Sequence, residues 1–402
     1  MRRVVVTGIG VVSALGNNAE DFWAAVSSGR SAIGPITKVD TTDLRFKNAA
    51  EVRDFDPSAH FDDKSLLWLD PFSHFGIVAA REAVADSRIT FTDELRDRAG
   101  VITGSCLGGK ETEDNLFSDL YGAKKSRFPP TVIPRVMSNA VASQVSMEHG
   151  LTGATFTIST ACSSANHAIG QAFWLVRQGT LDAAITGGSE APLTLGHLKA
   201  WESMRVVSQD TCRPFSKDRS GMILGEGGAM FVIETLDSAV ARDAKIYAEI
   251  TGFGMSADAH HLTMPLVEGA AKAMRGALSD GNTDPETVGY INAHGTATQA
   301  NDAMESNAIR LVFGEHADNI LVSSTKSMHG HALGAAGALE AAATILGLHR
   351  KLLPPTANFN EPDPECRVNI IKNKAIASEP QAALSNSFAF GGLNAVLAFK
   401  RW

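Results

Sequence analysis

A chain of 402 residues, 44% apolar and 20% charged, can bury a large core, either as two domains or as one α/β body with two similar halves. Its formal net charge of −8 argues against general nucleic-acid binding, which goes with a basic excess. The four cysteines, Cys106, Cys162, Cys212 and Cys366, are widely spaced and form no C-x-x-C pair. Neither a disulfide framework nor a zinc site is indicated, and a reduced, cytoplasmic setting is expected.

In chain order, the first element is MRRVVVTGIGVVSALG, which reads as a strand. Glycines and polar residues interrupt its apolar run too early for a secretory leader. No stretch approaches the roughly 20 apolar residues of a spanning helix, so no integral membrane segment is expected. Gly8 and Gly10 imitate a dinucleotide fingerprint, but NNAEDFWAAVSSGRSAIG follows, helical and then turn-like. A Rossmann unit needs a second strand ending in an acidic residue there. A strand-to-turn glycine pair is therefore expected.

Next come an Ala-rich helix, FGIVAAREAVADS, and a short strand, RAGVITGSCLGG, that ends in a Gly-rich turn. An excursion over about residues 110–150 holds Lys124, Lys125 and Arg127 in one polar stretch and is expected to pack against a partner subunit. In FTISTACSSANHAIGQAF a β-rich run, Thr155 to Ile158, leads through small residues into a helix expected to hold Cys162 in its first turn. The helix amino terminus favours a thiolate. A lone cysteine is most often a buried core residue; here serine and alanine neighbours leave room for a substrate.

The plan then repeats. Thr251-Gly252-Phe253-Gly254 parallels Thr7-Gly8-Ile9-Gly10, GAAKAMRGALSD parallels the first Ala-rich helix, and VGYINAHGTAT parallels RAGVITGSCLGG. AALSNSFAFGG and NAVLAFKRW likewise parallel LDAAITGGSEAP and GAMFVIETL. Matched elements in matching order imply a duplication, with halves at residues 1–245 and 246–402.

The first half carries Cys162. The second carries His294, in NAHGTATQAND, and His331, in STKSMHGHALGAAGALEAA. Each histidine follows an apolar run, where strand carboxyl ends face a cleft in α/β folds. Singly, either could be structural. Beside a thiol, two imidazoles can accept, donate or stabilise charge around a thioester. Lys326 and Glu340 flank His331, and either could orient it by hydrogen bonds or form a surface ion pair. Phe390 precedes Gly391-Gly392, a turn whose amides can face an oxyanion and whose aromatic ring can open and close a channel. His260-His261 and His329/His331 lack metal-motif spacing, and no metal is expected.

The segments RRVVVTGIG, TACSSANHAIG, RPFSKDRSGMILGEG, FGMSADAHH, NAHGTAT, TKSMHGHALGAAGALEA and NSFAFGGLN, in this order, resemble the elongating β-ketoacyl-acyl carrier protein synthases of the thiolase-like superfamily. The resemblance runs nearly end to end. It implies an α/β, thiolase-like duplicated αβαβα five-layer fold, a homodimer, and decarboxylative Claisen condensation of an acyl group with malonyl-acyl carrier protein.

By the same resemblance, Cys162 carries the acyl group, and His294 and His331 assist decarboxylation and stabilise the enolate. The N–H groups of Cys162 and Phe390 form an oxyanion hole, Lys326 supports the histidines with Glu340 behind it, and Phe390 gates the site. Leu107 matches an acyl-pocket position, and Thr296 and Thr298 contact the substrate arm. No cofactor is implied, because phosphopantetheine arrives on the acyl carrier protein. The acidic surface of that carrier would meet Lys124, Lys125, Arg127 and Arg205.

Some positions depart from the housekeeping pattern. The usual H-G-T-S-T-P reads His294-Gly295-Thr296-Ala297-Thr298-Gln299, and G-F-G-G-T-N reads Ala389-Phe390-Gly391-Gly392-Leu393-Asn394. Ser163-Ser164 follow the nucleophile, and the expected basic helix around Lys64 reads KSLLWLD. These departures make the chain resemble nodulation-protein-E-like synthases of unusual acyl chains. Two rivals are a degradative thiolase, which needs a second cysteine as base where only Cys366 stands, in a proline-rich loop, and a non-catalytic partner subunit of the chain-length-factor kind, which lacks the nucleophile.

Overall fold

The computed structural model describes residues 1–402. Eleven strands build its main sheet. In chain order they are β1 (Val4–Ser13), β2 (Ala99–Gly104), β3 (Thr155–Ile158), β4 (Ala183–Glu190), β5 (Gly227–Thr235) and β6 (Ala248–Ala257). There follow β7 (Val288–Asn292), β8 (Leu321–Ser323), β9 (Asn369–Ile370), β10 (Ala382–Ala389) and β11 (Leu393–Arg401). The helices that frame the sheet are α1 (Pro71–Ser87), α2 (Ser164–Arg177), α3 (Leu195–Met204), α4 (Val267–Asp280), α5 (Gln299–Phe313) and α6 (Ala336–Arg350).

The spatial order is β9-β8-β7-β10-β11-β6-β1-β5-β4-β2-β3. On either side of the β6–β1 junction the pattern is the same. In the first run β3, β2 and β4 are parallel and β5 and β1 continue antiparallel; in the second β8, β7 and β10 are parallel and β11 and β6 continue antiparallel. The two runs meet where Val4–Val6 pair antiparallel with Ala248–Ile250. The sheet bends around the middle helices, so the body has five layers. α1 covers β1, β5 and β4 on one outside, α4 covers β6 and β11 on the other, and α2 and α6 pack against each other between the two runs.

Composition explains the layering. In α6 every residue from Ala336 to Leu348 is buried, and in α2 most are. A helix that is apolar or small-sided all round belongs in an interior, not on a surface. No helix is long and apolar enough to cross a membrane.

The glycine pairs correct one expectation. Gly8 and Gly10 lie inside β1, not at a strand-to-turn junction, and Gly252 and Gly254 lie at the matching place in β6. A Cβ on Gly8 or Gly10 would fall about 2 Å from the carbonyl oxygens of Ala83 and Ala79 in α1. A Cβ on Gly252 or Gly254 would strike those of Ala277 and Ala273 in α4 in the same way. Each pair exists so that an outer helix can lie directly on strand backbone.

The excursion at residues 110–150 separates β2 from β3 and includes the helices Lys110–Phe117 and Ala140–His149. The second of these packs on α1 and β2. β3 forms one edge of the whole sheet, with β2 as its sole neighbour.

Candidate active site

The chemistry-bearing residues sit just past the carboxyl ends of parallel strands, where open α/β sheets present their clefts. Cys162 follows β3 by four residues, through Ala161, whose φ is +51°. Ser163 caps α2, which begins at Ser164, so the thiol precedes the helix instead of lying in its first turn. His294 follows β7 by two residues, before Ala297 at φ +63°. His331 follows β8 and the short turn Lys326–His329, before Leu333 at φ +48°. Each of these loops therefore holds a non-glycine residue in the left-handed region. Such conformations cost about 1–3 kcal/mol each and persist where the surroundings over-determine them. Phe390 directly follows β10 and leads into Gly391 and Gly392, at φ +84° and +68°.

These loops converge on one cavity of about 230 Å³, lined by Cys162, His294, His331, Thr296, Thr298 and Phe390. Trp201 and Met204 of α3 and the Leu262–Pro265 loop complete its wall. Larger open clefts, such as the one of about 1000 Å³ beside Asp86 and Lys245, contain no cysteine. The two imidazole centroids are 5.4 Å apart with planes nearly perpendicular, at 84°.

Behind His294 lies a fully buried charged pair. The Lys326 ammonium donates to the Glu340 carboxylate, to the His294 carbonyl oxygen at 2.5 Å, and to His294 Nδ1 at 3.3 Å. An ammonium has only donors, so Nδ1 of His294 accepts, and the ring proton sits on Nε2. Burial, reinforced by the Lys326 charge, pushes both imidazoles well below their ordinary range, so both are neutral. Burial also raises Glu340 to about 7, with Lys326 opposing it.

His331 is held differently. Its N–H donates to the Ile223 carbonyl at 2.7 Å and its carbonyl accepts from the Gly225 N–H at 3.0 Å, while its Nδ1 is buried without a partner. Burial pushes the Cys162 thiol up to about 12, although Lys326 pulls it down. The thiolate expected at the helix terminus is thus not the resting state, because desolvation disfavours the charged sulfur.

A model of the β-ketoacyl synthase N-terminal domain matches residues 1–239, and a model of the C-terminal domain of the same synthases matches residues 247–360. The chain belongs to the β-ketoacyl synthase family. It is similar to nodulation protein E of Rhizobium sp. (strain N33), with 46% identity over 400 residues covering 100% of this chain and 99% of the relative. It is also 41% identical over 409 residues to 3-oxoacyl-[acyl-carrier-protein] synthase 2 of Synechocystis sp., covering 100% and 98%. Among solved structures, it resembles a ketosynthase, bound to the hexaketide, in complex with its type II PKS acyl-carrier protein. The TM-score is 0.91, with 29% identity and coverage of 100% and 99%. The fold is the thiolase-like one of these ketosynthases.

Against that family pattern, Cys162, His294, His331, Thr296, Thr298 and Phe390 come together in the cavity. Lys326 and Glu340 neither pair on the surface nor bond to His331; their placement follows what the family resemblance implies, Lys326 against a histidine with Glu340 behind it. Both are buried, and Lys326 bonds to His294. Leu107 lies in the apolar cluster around Cys162, with Leu193 and Leu198, but outside the cavity wall. Lys124, Lys125 and Arg127 are exposed and line no part of the cavity, and Lys125 pairs with Asp119. Arg205 is exposed directly after Met204, which does line it. Cys366 is buried in a separate core cluster. No group of three or more His, Cys, Asp or Glu side chains is arranged to hold a metal ion.

Three residues escaped the sequence reading. Glu305 of α5 is buried and accepts from the N–H groups of His294 and Gly295 at 2.9 and 2.8 Å, fixing the histidine loop. Glu190, at the end of β4, accepts from Ser105, Cys106 and Leu107 and from the Gly334 N–H beyond His331. Trp201 stacks on Phe390. The first signal available was Glu305 standing three residues after Asp302 on the helix that follows His294, since acidic residues one turn apart share a face.

Proposed function

We propose that this chain is a 3-oxoacyl-[acyl-carrier-protein] synthase that carries an acyl group on Cys162 and extends it with malonyl-acyl carrier protein. The observation that carries the reading is the single cavity shared by Cys162, His294 and His331, with a buried Lys326–Glu340 pair behind His294.

The chemistry follows from the protonation states. The Cys162 sulfur attacks the acyl thioester, the carbon–sulfur bond to the carrier arm breaks, and the thiol proton passes to the departing arm sulfur. Loss of carbon dioxide from malonyl then leaves its electron pair on the adjacent carbon as an enolate. The neutral His294, carrying its proton on Nε2, donates to the enolate oxygen without a net charge to desolvate, and His331 supplies the second imidazole. The carbanion equivalent attacks the acyl carbonyl, and the tetrahedral oxyanion rests on the N–H groups of Cys162 and Phe390. Neither N–H makes a hydrogen bond elsewhere in the chain. Collapse breaks the bond to Cys162, and the departing thiolate takes up a proton from water, the one proton that the overall condensation consumes. No step requires a metal or redox group.

Thr296 and Thr298, whose hydroxyls pair at 2.9 Å on the cavity wall, would meet the carrier's phosphopantetheine arm. Arg205 at the mouth, and the exposed Lys124, Lys125 and Arg127, would meet its acidic surface. We read the chain as two halves joined near residue 245, and as a homodimer. β3 has one edge unpaired and a partly exposed Phe156 on it, an arrangement that proteins normally cover. Similarity to nodulation protein E and to 3-oxoacyl-[acyl-carrier-protein] synthase 2 supports acyl-chain extension in either fatty-acid or specialised, nodulation-type biosynthesis.

The test is condensation by the purified protein, given an acyl carrier protein loaded with acyl and with malonyl groups and read as 3-oxoacyl product by mass. Cys162→Ala should lower the rate by at least about 10³-fold. Condensation retained by that variant would contradict the proposal.

A further inference from the structure

We infer that His197 and Trp201 form a positioning pair that holds the gate: His197 fixes the Trp201 indole, and the indole is the wall on which Phe390 closes. The inference rests on the reading of Phe390 as the gate over Cys162 and adds the element that sets how readily it opens. Its influence should grow with the length of the acyl group.

His197 and Trp201 lie four residues apart on α3, hence on one face of the helix. The Trp201 indole N–H donates to His197 Nε2 at 2.7 Å. Burial, and then the Lys110 charge, push His197 down to about 4, so at neutral pH Nε2 remains an acceptor. The helix is itself tied down. The Gly196 N–H donates to Asp114, Lys199 donates to the Asp43 carbonyl, and Glu202 accepts from the Arg45 N–H.

Phe390 stands opposite this fixed wall. Its ring lies 6.1 Å from that of Trp201 with planes 28° apart, and it is 37% exposed. It is followed by two glycines in left-handed conformations, which can change dihedral angles without a Cβ penalty. Trp201 also packs, as Leu107 does, on the apolar cluster that contains Cys162 and Leu198. An acyl group entering this region must part the stack, and a long one must hold it parted. A loosened indole makes that easier.

The experiment measures acylation of Cys162 by intact mass, using carrier proteins loaded with a short and with a long saturated acyl group. His197→Leu removes the acceptor, and Trp201→Phe keeps a ring but removes the donor. Each should raise the long-to-short ratio of loading rates about three- to tenfold, the scale of one aromatic stack. The double variant should go no further than either single one, because the two residues act as a unit. His197→Gln, whose side-chain oxygen can accept, should return the ratio to that of the parent. An unchanged ratio in His197→Leu, or an equal loss for both lengths, would overturn the inference. A parent enzyme that loads neither acyl group on Cys162 would overturn the functional reading and this inference with it.

Discussion

The two histidines of the site are the same residue in the same cavity, yet they are built in differently. His294 is wired by side chains, with Lys326 on its Nδ1 and carbonyl and Glu305 on its N–H. His331 is hung from backbone alone, between Ile223 and Gly225, with an unpartnered Nδ1. The wiring fixes a tautomer and a direction for His294, whereas His331 receives only a position. A ring whose second nitrogen is hydrogen-bonded has its tautomer and orientation set; one whose second nitrogen has no partner does not.

The strongest way to break this contrast is Lys326→Met. It leaves the Glu340 carboxyl without its partner in a site with no exposure, where it must take up a proton, and frees the His294 tautomer. Unfolding in urea should show a loss of about 3–5 kcal/mol, and condensation should fall by about 100-fold or more. Adding Glu340→Leu should restore much of the stability but not the condensation. If activity returned with stability, Lys326 would be needed for folding and not for His294.

A smaller perturbation separates the two loops. Glu305→Gln replaces one of two acceptors on the His294 loop with a donor and leaves the His331 loop untouched. Condensation should fall about tenfold while acylation of Cys162 keeps its rate, read by comparing product formation with intact mass. An equal fall in both would place Glu305 in the general architecture.

The mildest test leaves the sequence unchanged. With the Cys162 thiol raised to about 12 by burial, its thiolate fraction grows with every rise in pH across the neutral range. Alkylation by iodoacetamide should accelerate about tenfold per pH unit between about pH 7 and 9, without a plateau. A plateau near neutrality would restore the low-pKa thiolate that the helix terminus suggested.

Much of this was legible in the chain. The strand-to-helix passage around Cys162, the glycine-rich loops around His294 and His331, and the matched order of elements all rest on local pattern, which sequence records directly. What was not legible depends on approach between distant segments. Gly8 and Gly10 looked like a turn because nothing local shows that α1 would lie on them. Residue spacing alone placed Lys326 beside the nearer histidine, and only the family resemblance pointed to both; the fold turns its ammonium to His294, 32 residues upstream. The protonation of Cys162 escaped for the same reason, since a dipole is implied by one helix but burial by the whole cavity.

The destination of the acyl group decides whether Cys162 is the nucleophile. The parent protein, incubated with an acyl-loaded carrier protein, should gain the mass of one acyl group, and peptide mapping should find it on the segment containing Cys162. Prior alkylation of that cysteine should abolish the gain. An acyl group on any other residue, or none despite an accessible Cys162, would contradict that assignment.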